Sequence, residues 1–294
     1  MTRHAGASAP PETDPVFDHP QVARLIDLAL EEDLGAGDCT ALATVPASAR
    51  ARGRLLAKQA LVVCGLPLAG RVLGRLGPVD VTLAAREGAA VAAGTALGTV
   101  VGPARALLGG ERLMLNLLQH LMGVATLTRA CVERVAGTGL VVRDTRKTLP
   151  GLRRLAKYAV RTGGGTNHRL ALDDAVLVKD NHLSLGGGDF AAAVAAARAA
   201  FPDLPLEVEC RTLAEVERAV AAAPDLILLD NMSPETMREA VRLVAGRIPL
   251  EASGGIGADD LPAVAATGVQ YVAMGALTHS APAADVSFKL EPVG

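Results

Sequence analysis

Apolar positions in the first half of the chain fall into short runs that glycines interrupt. Arg54 to Cys64, Val79 to Ala84 and Val91 to Val101 read as strands, with Gly88, Gly94, Gly98 and Gly102 marking turns or close backbone crossings. A helix is predicted ahead of them over Gln21 to Glu32. The first twenty residues, with Pro10, Pro11, Pro15 and Pro20 among acidic residues, predict a loose arm that lacks the apolar stretch of a signal peptide. Glu111 to Val135 predicts one long helix in which Arg112, Asn116, Gln119, Gly123, Thr126 and Ala130 recur at steps of three and four. That stripe of small and polar residues faces something other than lipid. It is either a solvent-facing strip or a face that points Arg112 into a site.

From Leu140 onward the pattern changes to short apolar runs alternating with helices, the sequence form of a parallel βα array. Strands are predicted at Leu140 to Val142, Ala175 to Val178, Leu206 to Val208, Leu226 to Leu229, Pro249 to Ala252 and Val269 to Ala273. Thr212 with Glu215 forms a capping box, and Ser233 with Pro234 gives an N-cap and first-turn pair for a helix ending near Gly246. The chain therefore divides into residues 1–136, ending with the long helix, and residues 137–294, whose C-terminal tail can return to the first half.

Each second-half strand runs into a chemically active or conformationally special group. In order these are Asp144-Thr145-Arg146-Lys147-Thr148, Lys179-Asp180-Asn181-His182, Glu209, Asp230-Asn231, Ser253-Gly254-Gly255 and Met274-Gly275-Ala276. In parallel α/β folds the C-terminal strand ends share one rim, where ligands bind. Arg146, Lys147, Arg169 and Lys179 bring four cations to that rim, and His168 joins them, so a multiply anionic ligand is expected. Arg pairs with planar carboxylates and Lys serves as a compact charge for phosphate. The glycines after Ser253 and Met274 offer unobstructed backbone N–H groups to a phosphate. Glu209 and Asp230 fit such a site if ribose hydroxyls or a divalent metal lie between them and the phosphates. Each could otherwise form a salt bridge to a strand-end base.

Composition narrows the function classes. The 294 residues are half apolar and 2% aromatic with a formal charge of −2, so neither a base-stacking platform nor a basic footprint for nucleic acid is present. Cys39, Cys64, Cys131 and Cys210 are scattered and read as reduced, mostly packed thiols rather than a disulfide framework or zinc site. The most hydrophobic long segment, Leu107 to Val135, carries Glu111, Arg112, Asn116, Gln119 and His120, which excludes an ordinary membrane span. A soluble cytoplasmic protein is expected. The strand cluster of the first half resembles the small barrel of biotinyl or lipoyl carriers, but its turn, Ala92-Ala93-Gly94-Thr95, lacks the attachment lysine. Gly163-Gly164-Gly165 follows no clear strand and lacks a terminal Lys-Ser/Thr, so it reads as a flexible connector positioning His168 and Arg169 rather than a phosphate loop.

Several runs in one order carry a family resemblance over nearly the whole chain. These are Glu32 to Thr40, Asp144-Thr145-Arg146-Lys147-Thr148, Lys157-Tyr158-Ala159-Val160 through Gly163-Gly164-Gly165 to Asn167-His168-Arg169, Lys179-Asp180-Asn181-His182, Ser253-Gly254-Gly255, and Gly275 to Ser280. They resemble quinolinate phosphoribosyltransferase, also called carboxylating nicotinate-nucleotide diphosphorylase. The resemblance implies an N-terminal α/β sandwich, a C-terminal incomplete α/β (TIM-like) barrel, and a homodimer with shared active sites. It implies transfer of phosphoribose from 5-phosphoribosyl 1-diphosphate to quinolinate with decarboxylation. By the same resemblance, Arg146, His168, Arg169 and Lys179 hold the substrate carboxylates with Thr145 beside them, and Lys147 contacts the diphosphate. Glu209 and Asp230 meet the ribose and its Mg2+. Ser253, Gly254, Gly255, Met274, Gly275 and Ala276 receive the 5-phosphate, and Arg112 enters from the partner subunit. The sequence departs from the family pattern at Leu170-Ala171, where a glycine is expected, and at Cys210. A related phosphoribosyltransferase of molybdenum-transport operons shares much of the pattern. A Schiff-base lyase using Lys179 and a non-catalytic anion-binding protein are the alternatives of other classes.

Overall fold

Proline opens the ordered chain instead of loosening it. In the computed structural model, which describes residues 14–293, Pro15–Asp18 form a 3-10 turn and Pro20 sits in the first turn of α1 (Pro20–Leu34), where its fixed φ suits a helix start. The loose arm expected from the sequence is corrected from Asp14 onward. Phe17 is buried edge-to-face on Tyr158, with ring centroids 4.8 Å apart, and Arg161 Nη2 lies 3.0 Å from Asp14 Oδ2. Pro10 and Pro11 lie outside the described residues.

After α1 come α2 (Cys39–Thr44), β1 (Arg50–Ala57), β2 (Leu61–Val62), α3 (Leu68–Leu73), β3 (Asp80–Leu83), β4 (Ala90–Val91), β5 (Ala96–Pro103) and the long α4 (Ala104–Arg134). The second half runs β6 (Val141–Arg143), α5 (Arg153–Thr162), β7 (Val176–Val178), α6 (Asp180–Leu185), α7 (Phe190–Ala200), β8 (Leu206–Cys210), α8 (Leu213–Ala222) and β9 (Leu226–Asp230). It ends with α9 (Pro234–Val244), β10 (Leu250–Ser253), α10 (Leu261–Ala265), β11 (Tyr271–Ala273), α11 (Ala276–His279) and β12 (Val286–Val293). By contact the chain forms two units. One holds the described residues up to Arg129 with Thr148–Gly164 and the segment from Ser280 onward, and the other holds Ala130–Lys147 and Gly165–His279. Among the described residues no helix is long and apolar enough to cross a membrane.

The first unit is built on an antiparallel sheet in the order β12-β1-β5-β3, with β2 and β4 paired separately. β1 alternates exposed arginines, Arg50, Arg52 and Arg54, with buried Ala51, Gly53 and Leu55, the period of a sheet with one wet face. The polar stripe of α4 has protein partners. Gln119 Nε2 donates to Val286 O at 3.0 Å, and the Thr126 hydroxyl accepts from Val62 N at 2.8 Å. Gly123 meets the C-terminal segment so closely that a β-carbon there would collide with the carbonyl of Pro282. Gly123→Ala is therefore expected to destabilise the protein by at least about 1–3 kcal/mol, because backbone cannot yield as a side chain does. A denaturation midpoint equal to wild type would show that the segment is not held on α4.

Gly163 is also set by close approach, and the flexible connector expected there is corrected. It caps α5, donating to Ala159 O at 2.9 Å, and a β-carbon would lie 2.5 Å from Ala125 O on α4. Arg129 Nε donates to Gly163 O at 3.0 Å, so the turn is packed and hydrogen-bonded in place.

The second unit carries six parallel strands in the order β6-β11-β10-β9-β8-β7. Sequential strands from β7 to β11 are neighbours and β11 pairs with β6, while β6 and β7 form no ladder. Thr166 bridges to Arg143 beside the gap. The sheet is a barrel left open at one seam, with βα crossovers as the alternating pattern predicts. Thr212 caps α8, its hydroxyl accepting from Glu215 N at 3.2 Å, while the Glu215 carboxylate reaches Arg211 N at 2.6 Å, one residue ahead of the cap. Ser233 caps α9 before Pro234.

Candidate active site

Side chains alternate across a strand, so residues two apart share a face. In the second unit one face of each strand leads to a cavity at the C-terminal strand ends, where α/β folds bind ligands. Leu177 comes from β7 and Lys179 directly follows it, Leu228 and Asp230 come from β9, Glu209 from β8, Ser253 from β10, and Ala273 from β11. Thr145, Arg146 and Lys147 follow β6, and His168 with Arg169 complete the lining. The predicted strand ends are thus brought together around one concavity. Leu177, Leu228 and Ala273, which sequence reasoning did not single out, give it an apolar wall.

The charges are arranged in two groups. Burial, then the neighbouring Arg146 guanidinium, pull Arg169 below the ordinary arginine range, and Arg169 Nη1 donates to Ala175 O at 2.9 Å. Two guanidinium groups that disfavour each other at a cavity wall are relieved by an anion between them. Across the site, Lys179 Nζ lies 3.2 Å from Glu209 Oε2. Burial raises the Glu209 pKa, Lys179 opposes that shift, and Asp230 adds to it. Asn231 Nδ2 donates to Asp230 Oδ2 at 2.8 Å.

The loop carrying His168 and Arg169 is pinned from β6 by buried Asp144. Asp144 Oδ1 accepts the backbone N–H of His168 at 2.9 Å, and Oδ2 accepts Asn167 Nδ2 at 2.6 Å. Beyond it, where the resemblance leads one to expect a glycine, Leu170 N and Ala171 N donate to the Asp174 carboxylate at 2.6 and 3.1 Å. An aspartate-closed turn does the work at this departure. Cys210, beside Glu209, is buried, and burial pushes its thiol up to about 12, which leaves a protonated packing group.

Lys147 is anchored through its backbone, its carbonyl accepting the Thr278 hydroxyl at 2.8 Å. Gly254 and Gly255 follow Ser253 at the end of β10, and Met274, Gly275 and Ala276 follow β11 into α11. They stand at strand ends next to lining residues but do not line the cavity themselves. Arg112 is exposed on α4 and is not among the lining residues either.

Sequence reasoning missed the layer one step down the strands. Two residues before Thr145, Glu209 and Ser253 on the same strand faces stand Arg143, Glu207 and Glu251. Arg143 Nη1 donates to Glu251 Oε2 at 2.6 Å, and His168 Nε2 lies 2.9 Å from Glu207 Oε2. Burial, then Glu207, raise the Glu251 pKa. The alternation Glu207-Val208-Glu209 already signals two acids on one strand face.

The models for the N- and C-terminal domains of quinolinate phosphoribosyl transferase match residues 38–122 and 124–289. The nicotinate-nucleotide pyrophosphorylase [carboxylating] of Mycobacterium leprae is 46% identical over 269 residues, 89% of this chain and 94% of that one. A probable enzyme of the same name from Bacillus subtilis is 39% identical over 272 residues, 92% of this chain and 94% of that one. The crystal structure of NadC from Streptococcus pyogenes superposes with a TM-score of 0.89 at 38% identity, covering 97% of this chain and 100% of that one. A cation-lined cavity at the open end of a parallel barrel and matches along both halves lead to one assignment: the chain belongs to the quinolinate phosphoribosyltransferase family.

Proposed function

We propose that this protein joins quinolinate to 5-phosphoribosyl 1-diphosphate, releasing diphosphate and carbon dioxide and leaving nicotinate mononucleotide, a step of NAD biosynthesis. The observation that carries this reading is the pairing of Arg146, Arg169 and Lys179 with Glu209 and Asp230 around one cavity, in a chain of this family. The cations match two adjacent carboxylates, and the acids match a sugar with developing positive charge. A Schiff-base role for Lys179 is disfavoured by its contact with Glu209, since an imine-forming lysine is commonly held in an apolar pocket or beside another cation.

The pyridine nitrogen attacks C1 of the ribose, and the C1–O bond to diphosphate breaks with its electron pair leaving on the diphosphate. Arg146 and Arg169 orient the ring by its carboxylates, so the nitrogen is held in line for attack. Lys147 faces the departing diphosphate, and Glu209 and Asp230 oppose the positive charge that builds on the sugar. Ser253, Gly254, Gly255, Met274, Gly275 and Ala276 are the proposed 5-phosphate cradle. The carboxylate next to the nitrogen then leaves as carbon dioxide, its bonding pair stabilised by the adjacent pyridinium, and protonation of that carbon completes the product.

Mg2+ belongs to the same proposal. Lys179 engages one oxygen of Glu209 and Asn231 one oxygen of Asp230, which leaves an oxygen on each carboxylate for a hard cation or its water. When bound, such an ion neutralises diphosphate charge. A cytoplasmic homodimer with shared sites completes the reading.

The test is diphosphate release from 5-phosphoribosyl 1-diphosphate with quinolinate, compared with nicotinate. Leaving a buried cation unpaired costs roughly 2–5 kcal/mol, so nicotinate is expected to turn over far more slowly. Equal rates with both bases would sink the substrate assignment.

A further inference from the structure

Barrel interiors are ordinarily filled by branched apolar side chains, yet this one buries Glu207 and Glu251 beneath the ligand cavity, with half-buried Arg143 and His168 against them. Buried charges are costly unless they are paired and hydrogen-bonded. What they hold is legible from the two ring nitrogens of His168. Nδ1 accepts the backbone N–H of Arg169 at 2.7 Å, so it carries no proton. Nε2 lies 2.9 Å from Glu207 Oε2 and, since an imidazole carries at least one N–H and Nδ1 has none, Nε2 is the donor. An imidazole that accepts at one nitrogen and donates at the other is neutral, and its tautomer is set by these partners.

We propose that His168 is a neutral positioning group, protonated on Nε2 and held by Glu207, whose Nδ1 fixes the backbone of Arg169 and so aims the Arg169 guanidinium at the ligand. His168 then adds no charge to the anion site. The charge comes from the arginines and Lys179, and the buried layer supplies rigidity. Glu251 backs Glu207 and is itself fixed by Arg143, whose guanidinium stacks over Tyr271 at 5.1 Å. His168 Nε2, Glu207 and Glu251 lie near enough to one another to ligate a metal. The Arg143 guanidinium, 2.6 Å from Glu251 Oε2, opposes a cation there.

The role of His168 deepens the phosphoribosyl-transfer reading and rests on it only for the identity of the ligand. Two measurements keep the ideas separable. In the ligand-free protein, two-bond 1H–15N correlation spectra of labelled histidine, assigned by loss of the signal in His168→Gln, are expected to show a neutral ring with the proton on Nε2. An imidazolium pattern, or an Nε2 without a proton, overturns the proposal whether or not quinolinate is a substrate. The second measurement separates charge from position. Asn places its side-chain oxygen where Nδ1 stands and carries no charge, whereas Lys carries charge and no acceptor. His168→Asn is expected to bind quinolinate about tenfold more tightly than His168→Lys, the scale of one buried hydrogen bond. The reverse order would make His168 a cationic ligand group. Glu207→Gln, which keeps an acceptor, should raise the quinolinate KM less than Glu207→Leu, with the larger change in KM rather than kcat. Equal effects of the two substitutions would remove Glu207 from the positioning chain. If wild-type protein neither binds nor turns over quinolinate, the substrate reading fails while the spectra still decide the tautomer.

Discussion

Glu209→Gln and Asp230→Asn are each expected to lower turnover by about 10²- to 10³-fold, the usual scale for removing one electrostatic group aimed at a transition state. Quinolinate affinity should hold or rise. The sign follows from the ion pair of Glu209 with Lys179 at 3.2 Å: neutralising the acid releases the ammonium charge to an incoming carboxylate. Asp230 accepts a hydrogen bond from Asn231, its neighbour in the chain, and not from any of the cations proposed to hold the base. Its loss should leave the carboxylate pocket intact. Titration of quinolinate into each variant, set beside single-turnover rates of diphosphate release, separates the two quantities. A large loss of affinity with unchanged turnover would move these acids to the base side of the site.

The strand ends were legible because a parallel βα array has a simple grammar. Apolar runs give the strands, and the polar residue that ends each run lies at the rim, which is how Lys179, Glu209, Asp230 and Ser253 came to line one cavity. Three features were hidden for physical reasons. Pro15 and Pro20 suggested a loose arm because proline breaks helices internally, but at a first turn it favours them, and burial of Phe17 fixes the rest. Gly163-Gly164-Gly165 suggested flexibility because glycine permits it. Here, Gly163 is needed for the close pass of α5 over α4, a long-range contact that no local pattern encodes. The layer of Arg143, Glu207 and Glu251 went unread because charged residues in an apolar run look like rim or surface positions. Only the period-two alternation with Glu209 marks Glu207 as an interior residue.

Arg112 carries the last prediction. It is exposed on α4 in the unit that does not line the cavity, whereas all twelve lining residues belong to the other unit. The family resemblance places its charge in a partner's active site, and we propose the same here: in a two-fold dimer equivalent patches let each subunit donate Arg112 to its partner's cavity. Arg112→Ala and Arg146→Ala should therefore each be inactive as homodimers. A mixed dimer of the two holds one site with both arginines and one with neither. Random reassortment makes about half of the dimers mixed, so about one site in four regains both groups. Unfolding and refolding the two variants together, and then measuring diphosphate release, should return activity near a quarter of the wild-type value per site. Refolding each variant alone should return none. If mass spectrometry confirms mixed dimers and activity stays at the level of the separate variants, Arg112 does not act across the dimer. Activity in either variant refolded alone would mean that the arginine it lacks is dispensable.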